Sequence, residues 1–521
     1  MKMFRNGYWQ KLVLLLTILI EIGLLIFFVV SIAADGMSTP GTSLMYFIVL
    51  IVARAFICVF IVWTDSAAQY KIAWLVFVGA LPIVGGACYL FFAHKLRTKK
   101  ERRTLTRYYD ALKHDPSTDE TKRKLLEAAP DCWNIATYIE QASNGGIYQN
   151  TSVAYFPLGD VAAPVILDEL KKAKHYIFLE YFIIKPGKFW NDILEILVAK
   201  VKAGLDVRVV YDDFGNLGAT PVHYWRYLRS LGINAYAFER IRPIVDVRMN
   251  NRDHRKILVI DGHTCFTGGM NLADEYINID SPYGHWKDNA IMLKGKAVYG
   301  FTLLFFANWL VHFDGKIKID YDYYRPETYI DEAGGFPASD GFIQPYGDMP
   351  YSNDDVGEGA YLSILGQSNR YCYISTPYLI LDDQMRDSLR IAALSGCDIR
   401  LLVPGIPDKK TVYQLTRANY GPLLLAGVRI YEYTPGFVHQ KMFISDDKLA
   451  TVGTINLDYR SLYLHMECGT LIVKSGAILK MKQDFIDSLE VSHEVTLEEW
   501  EAWKKKKRAS WALLKLLAPL L

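Results

Sequence analysis

The strongest constraint on this 521-residue chain is a duplication. His254-Arg-Lys256 continues through four residues to Asp261, and His439-Gln-Lys441 continues through four residues to Asp446. Both segments read H-x-K-x4-D, with a Gly fourteen residues after each His (Gly268, Gly453) and an Asn seventeen after (Asn271, Asn456). At average residue usage one such element arises by chance in roughly a few per cent of chains this long. Two copies with both downstream residues in register exclude coincidence. The spacing, close to 185 residues, lies far outside the ~20–50-residue periods of solenoids, so the chain holds two copies of a domain.

The surroundings of each copy agree. Short β-rich runs at 175–184 and 207–211 alternate with a helical stretch at 189–203, and runs at 371–380 and 399–403 repeat the order. Segments 229–238 and 423–433 also correspond. Strand–helix alternation argues for α/β layers. Two similar lobes about a pseudo-twofold axis are expected, with the seam in the Gly/Pro/Asp-rich stretch 321–359 and the site at their junction.

The residue types suit phosphate chemistry. On a β-strand, positions i and i+2 share a face, so His254 stands beside Lys256 and His439 beside Lys441. Lys supplies positive charge for a phosphate, and the amides of Asn271 and Asn456 donate to another of its oxygens. Imidazole serves as nucleophile or as general acid/base near neutral pH. For Asp261 and Asp446, at the turn after each strand, strand-end hydrogen bonding is the plainer role. The chain has 11 His but no His-Glu-x-x-His or comparable metal-ligand spacing, so its motifs carry no sign of a bound metal or other cofactor. The seven cysteines (58, 88, 132, 265, 372, 397, 468) are odd in number and lack C-x-x-C, which reads as reduced thiols.

The first hundred residues read differently. Apolar runs at 12–34, 44–63 and 72–93 are each long enough to cross a bilayer and argue against a cleavable signal peptide. A dense basic flank at 94–103 favours the cytoplasm, yet so do Lys2, Arg5 and Lys11. Either the N-terminus lies outside, or one run is re-entrant, the Gly/Pro-rich third being the candidate. Glu21 and Arg54 interrupt the first two runs, as helix–helix or headgroup contacts or by snorkelling. At the other end, the basic segment 504–508 precedes an apolar run at 509–521; it lies at a lipid interface or packs on the protein. A net charge of +2 gives no global pull onto nucleic acid.

The paired H-x-K-x4-D elements resemble the signature of the phospholipase D superfamily over about residues 150–485. Within it, the layout is similar to the bacterial cardiolipin synthases. This likeness rests also on Leu179-Glu-Tyr181, Tyr211-Asp-Asp-Phe-Gly215, Gly268-Gly-Met-Asn271, Ser375-Thr-Pro-Tyr378 and the segment from Gly453 to Ser461. The chain departs from that pattern in an extra hydrophobic run at its start. The resemblance implies two pseudo-symmetric α/β sandwich domains preceded by N-terminal transmembrane helices. The expected boundaries are an anchor at 1–95, a basic helical linker at 96–149, domains at 150–330 and 331–490, and a basic amphipathic tail at 491–521.

It further implies a metal-free transfer in which one His forms a phosphohistidine and the other protonates the leaving alcohol. Lys256, Lys441, Asn271 and Asn456 would then hold the phosphate. A downstream carboxylate orients each His: Glu467 fits that role for the second half, and Asp288 is the counterpart in the first. The implied reaction joins two phosphatidylglycerols into cardiolipin plus glycerol, on the cytoplasmic face of a multi-pass bacterial membrane protein. The implied partners are phosphatidylglycerol and anionic lipids, not nucleic acid, and a homo-oligomer is allowed. His254 is taken as nucleophile, although near-symmetry leaves the choice open. A lipid hydrolase, a nuclease or other phosphatidyltransferase, and a non-enzymatic membrane scaffold are the alternatives.

Overall fold

The computed structural model describes residues 23, 40–64, 68–89, 99–113, 118–240, 251–313, 316–350, 352 and 354–518. They fall into two compact units. One comprises residues 1–96, 241–251 and 512–521, and the other comprises 97–240 and 252–511.

In the first unit the run at 12–34 lies outside the described residues, apart from Gly23. The second run forms a helix, Pro40–Trp63, whose side chains are described at Ile48 and from Ile51 onward. The third run is not one helix. It divides into Ala68–Ala80 and Pro82–Cys88, because Pro82 has no N–H to donate and its ring obstructs the carbonyl four residues back. Gly85 and Gly86 allow close packing there, since a Cβ would fall 2.8 Å from the Phe77 carbonyl oxygen and 2.5 Å from the Ile57 side chain respectively. Among the described residues no helix is long and apolar enough to cross a membrane. The expected three-span, multi-pass anchor therefore has no counterpart among them.

Among the described residues the second unit holds seventeen strands. In the first half they are β1 (Thr151–Phe156), β2 (Tyr176–Tyr181), β3 (Asp206–Asp212), β4 (Asn234–Phe238), β5 (Lys256–Ile260), β6 (Thr264–Gly268), β7 (His285–Lys287) and β8 (Ala290–Gly295). The second half has β9 (Phe342–Asp348), β10 (Tyr371–Ser375), β11 (Asp398–Pro404), β12 (Arg429–Tyr433), β13 (Gly436–Val438), β14 (Met442–Ser445), β15 (Leu449–Gly453), β16 (Glu467–Val473) and β17 (Ser492–Glu494). The first sheet runs β1-β8-β6-β5-β2-β3-β4. From its other edge the second runs β9-β16-β15-β14-β10-β11-β12, followed by β17. The two sheets match strand for strand, as duplication requires.

Each central strand is buried on both faces, which is why it reads as a continuous apolar run. In β5, Leu258 and Ile260 pack against the helices Gly159–Lys172 and Lys188–Lys202. Ile257 and Val259 face a core shared with Met442, Ile444 and Val452 of the other sheet. The second sheet's opposite face, through Cys372, Ile374 and Phe443, packs on Trp133–Ser143, Val356–Gln367 and Asp383–Leu394. The layers thus run helix, sheet, sheet, helix, and the mostly apolar, buried helix Val298–His312 contributes to the shared core. The stretch expected to act as a linker adds Tyr108 and Leu112 to that core, and Ile135 and Ile139 to the second half's own.

Candidate active site

Each conserved-spacing histidine precedes a central strand: His254 stands before β5 and His439 before β14. The segment carrying each is also hydrogen-bonded to the other half. The His254 N–H donates to the Met466 carbonyl (2.9 Å), and the Met466 N–H donates to Arg252 (2.7 Å). The His439 N–H donates to Lys287 (2.7 Å), where β13 pairs in parallel with β7. Met466 and Lys287 are the residues just before Glu467 and Asp288. This pairing sets His254 Nδ1 2.9 and 3.0 Å from the two Glu467 oxygens, and His439 Nδ1 2.7 Å from Asp288 Oδ2. Counted along the sequence, each carboxylate follows the histidine of its own half; in the structure each serves the histidine of the other.

A carboxylate on Nδ1 selects the Nδ1–H tautomer and leaves Nε2 with a lone pair. Burial pushes the His254 imidazole down to about 3, against the opposing pull of Glu467. His439 is likewise held well below its usual range by burial, then by Lys441 and Lys256. Both rings are therefore neutral at pH 7. The two carboxylates differ. Burial raises Asp288 to about 7 although Lys441 opposes it. Burial acts the same way on Glu467, but His254 and His465 overcome it and hold the group well below the carboxylate range. Glu467 is the charged partner, and Asp288 stands at the edge of protonation.

The two lysines flank the pair. Lys256 Nζ donates to the His254 carbonyl (2.6 Å), and Lys441 Nζ donates to the His439 carbonyl. Both are buried, which lowers Lys256 to about 8 and Lys441 to about 7. A bound phosphate restores their charged forms by supplying the missing counter-charge.

The asparagines are committed to the protein. Asn271 Oδ1 accepts from Ile183 N–H (3.0 Å) and its Nδ2 donates to Tyr276 (2.7 Å). Asn456 Nδ2 donates to Asp458 (3.2 Å), while its buried Oδ1 has no hydrogen-bond partner. Asp261 and Asp446 stand at the far ends of β5 and β14 from the histidines. Asp261 accepts from the N–H groups of Lys174, His175 and Tyr176, each at 2.8 Å. Asp446 accepts from Asn369 (2.8 Å), Arg370 (2.9 Å) and Tyr371 (2.9 Å). These two carboxylates clamp the starts of β2 and β10, at the strand ends away from the histidines.

Sequence reasoning missed the residues that distinguish the two half-sites. His465 lies two residues before Glu467, with Nδ1 3.6 Å from its Oε1 and its ring 5.5 Å from that of His254. The residue two before Asp288 is Trp286, whose ring is 5.5 Å from His439. Tyr276 (5.4 Å) and Phe437 (5.9 Å) complete an aromatic wall on that side. Thr454 Oγ1 donates to Glu467; its counterpart is Gly269, where a Cβ would fall 2.0 Å from Asp288. The signal for His465 was its spacing to Glu467, visible only once Glu467 is tied to His254. His254, His465 and Glu467 also bring donor atoms within 4.8 Å of one another, a grouping able to hold a cation.

Under the site, Arg255 is fully buried and pairs with Glu180 and with Asp253 (3.1 Å). Asn308 donates to both carboxylates, at 2.8 and 2.7 Å. The residue between His and Lys thus anchors the motif in the shared core.

Comparison with known proteins agrees with this construction. The family described as cardiolipin synthase, PLD-like domain, matches residues 166–297 and 361–489, one match per half. A cardiolipin synthase 2 of Bacillus anthracis is 33% identical over 453 residues, covering 86% of each chain. A cardiolipin synthase of a Geobacillus species is 31% identical over 479 residues, covering 89% of this chain and 92% of its own. An uncharacterised protein of Streptococcus mutans is 41% identical over 451 residues, covering 86% and 96%. Among solved structures, a phosphatidylserine synthase of Haemophilus influenzae superimposes with a TM-score of 0.54 at 15% identity, covering 75% of this chain and all of its own, a likeness of fold. With both halves matched and relatives above 30% identity over most of its length, the chain belongs to the cardiolipin synthase family of PLD-like enzymes.

Proposed function

We propose that this enzyme transfers a phosphatidyl group from one phosphatidylglycerol to another, yielding cardiolipin and glycerol. The observation that carries the reading is the pair of buried neutral imidazoles, each bonded through Nδ1 to a carboxylate of the other half and each flanked by a buried lysine.

The unequal carboxylates support a division of labour. Anionic Glu467 raises the electron density of His254, whose Nε2 attacks phosphorus. As the N–P bond forms, the P–O bond to glycerol breaks. With Asp288 protonated, its O–H donates to His439 Nδ1 and the ring carries its own proton on Nε2. That proton passes to the departing oxygen as Asp288 gives its proton to Nδ1. Asp288, raised to about 7, lets that pair carry the proton near neutral pH. In the second step the pair takes the proton back from the terminal hydroxyl of another phosphatidylglycerol. That oxygen displaces Nε2 and regenerates His254. Lys256 and Lys441 stabilise the phosphoryl charge throughout.

Membrane residence is part of the proposal. The helix Pro40–Trp63 turns Phe56, Val59 and Trp63 outward (68–81% exposed), an apolar face suited to lipid. In the terminal helix Leu497–Leu517, the Trp500 and Trp511 indoles donate to Arg417 and Gln414, while the basic stretch 504–508 is exposed. This supports a helix docked on the protein by its aromatic side and free to attract anionic headgroups.

The test is reconstitution in phosphatidylglycerol liposomes without divalent metal, with products followed by mass. Cardiolipin with about one equivalent of glycerol is expected from this stoichiometry. Phosphatidic acid in its place would make water the acceptor and overturn the transferase reading. An acid-labile phosphoenzyme should be trapped by quenching the wild type during turnover, with the phosphoryl group on His254, and should be absent from His254→Ala; finding it on His439 would exchange their roles.

A further inference from the structure

Beyond β3 the chain makes a loop whose root is fastened to the His254 half-site. Asp212, the last residue of β3, accepts from the N–H groups of Phe214 (2.8 Å), Gly215 (3.1 Å) and Asp253 (3.0 Å). Asn216 Nδ2 donates to the Phe182 carbonyl (2.9 Å) and its Oδ1 accepts from Ile184 N–H (2.9 Å). The Phe182 ring stands edge-on to His254 with centroids 5.0 Å apart.

From that root, through the loop and into the helix Tyr224–Ser230, the chain carries apolar side chains outward: Phe214 is 45% exposed, Leu217 70%, Val222 87% and Tyr227 50%. Scattered exposed aliphatics need no explanation, but four large ones within residues 213–227 do. Beside them Arg226, Arg229 and Arg240 place guanidinium carbons 5.2, 4.8 and 5.7 Å from the Trp225 ring. Asp213 and Glu239 are the acidic residues on the border. An apolar tip ringed by arginines and a tryptophan has the composition of an element that enters the interfacial region of an anionic bilayer. The equivalent loop after β11 is short, passing from Pro404 to the helix Lys410–Ala418, and exposes Ile406 beside Lys409. The long apolar insertion belongs to one half alone.

We propose that residues 213–227, a loop and the first turn of the helix that follows it, form a lipid-docking element that seats the His254 half-site on an anionic membrane surface. Its short root lets a lipid phosphate reach His254 without the whole acyl chain leaving the bilayer. The proposal rests on the lipid-transfer reading above, and its test separates the two.

The probe is an environment-sensitive fluorophore on Val222→Cys in the full-length chain, with the half-buried Cys58 and Cys88 changed to Ser. Reconstituted in phosphatidylglycerol bilayers, the label should emit to the blue of its position in phosphatidylcholine and be quenched by lipid-borne nitroxide. This readout does not depend on catalysis. An unshifted, unquenched label would overturn the proposal, as would a shift that follows protein concentration and so reports a second copy. Alongside it, Leu217→Asp with Val222→Asp should raise the interfacial KM on phosphatidylglycerol bilayers by about tenfold or more, the weight of two aliphatic side chains withdrawn from lipid. Turnover of monodisperse short-chain phosphatidylglycerol should stay unchanged. Equal loss on both substrates, or no loss on bilayers, would refute docking. A wild-type enzyme inactive on phosphatidylglycerol whose label still shifts would sink the transfer reading and leave the loop's role standing.

Discussion

Asp288→Asn should abolish the alkaline limb of the kcat profile, read with phosphate bound so that Lys256 and Lys441 stay charged. In the wild type the His439–Asp288 pair gives up its proton as pH rises through about 7, so phosphohistidine formation slows on that side. The variant lacks the titrating carboxyl, and its profile, lower throughout, should be flat there. Stability carries the same signature. Burial raises Asp288, so the folded state holds this proton more tightly than the unfolded chain does. The resulting stabilisation is full at acid pH and is lost as pH climbs towards about 7. Denaturant titrations from pH 4 to 8 should show that slope in the wild type and a shallower one in Asp288→Asn. Asp261→Ala belongs to another class: three backbone N–H groups lose a charged acceptor, a cost of about 3 kcal/mol. Reduced denaturation midpoint with near-normal kcat in the surviving fold is expected; a kcat loss above about tenfold would place Asp261 in the chemistry after all. Sequence spacing brought the histidines and lysines into view, and the family resemblance supplied both carboxylates. His465 and Thr454 were hidden because they act through Glu467, whose histidine lies 213 positions away.

At the scale of elements, the three-residue strands β7 and β13 do more for the site than their length suggests. Their parallel ladder sets the His439 backbone against Lys287 and so brings the imidazole to Asp288. Gly436 lies in that ladder, where a Cβ would fall 2.2 Å from the His285 carbonyl oxygen. Gly436→Val should prise the ladder apart and cut kcat by about a hundredfold or more while far-UV circular dichroism stays unchanged, because misplaced groups lose rate steeply. Gly366→Ala, in a helix with open space around it, is the control and should be neutral or stabilising by about 0.5–1 kcal/mol. The long central strands were legible from their apolar runs. These short ones were not, since three residues carry no period and their pairing is decided by a distant partner.

The whole molecule behaves as one catalytic unit built from two homologous halves. Val298–His312 and the facing strands of both sheets share a core, and each histidine borrows its carboxylate across the pseudo-twofold. Residues 97–330 and 331–521 expressed separately should therefore be inactive and poorly soluble. Co-expression should recover activity, measured as cardiolipin formed per mole of complex. Activity in either half alone would contradict the crossed site.

By itself the sequence determined that there are two copies of one α/β domain, that each brings a His and a Lys two residues apart to a central strand, and that three apolar runs fill most of the first 93 residues. Those properties are local: strand period, residue chemistry and hydropathy need no partner to be read. Tertiary structure alone decided which carboxylate serves which histidine, which backbone groups Asp261 and Asp446 hold, and that the third apolar run breaks at Pro82 into two helices. It places both histidines just before their strands rather than on them. It also decided the inequality of the half-sites. Each of these depends on contacts between segments far apart in the chain, and on the burial that moves Asp288 and Glu467 in opposite directions.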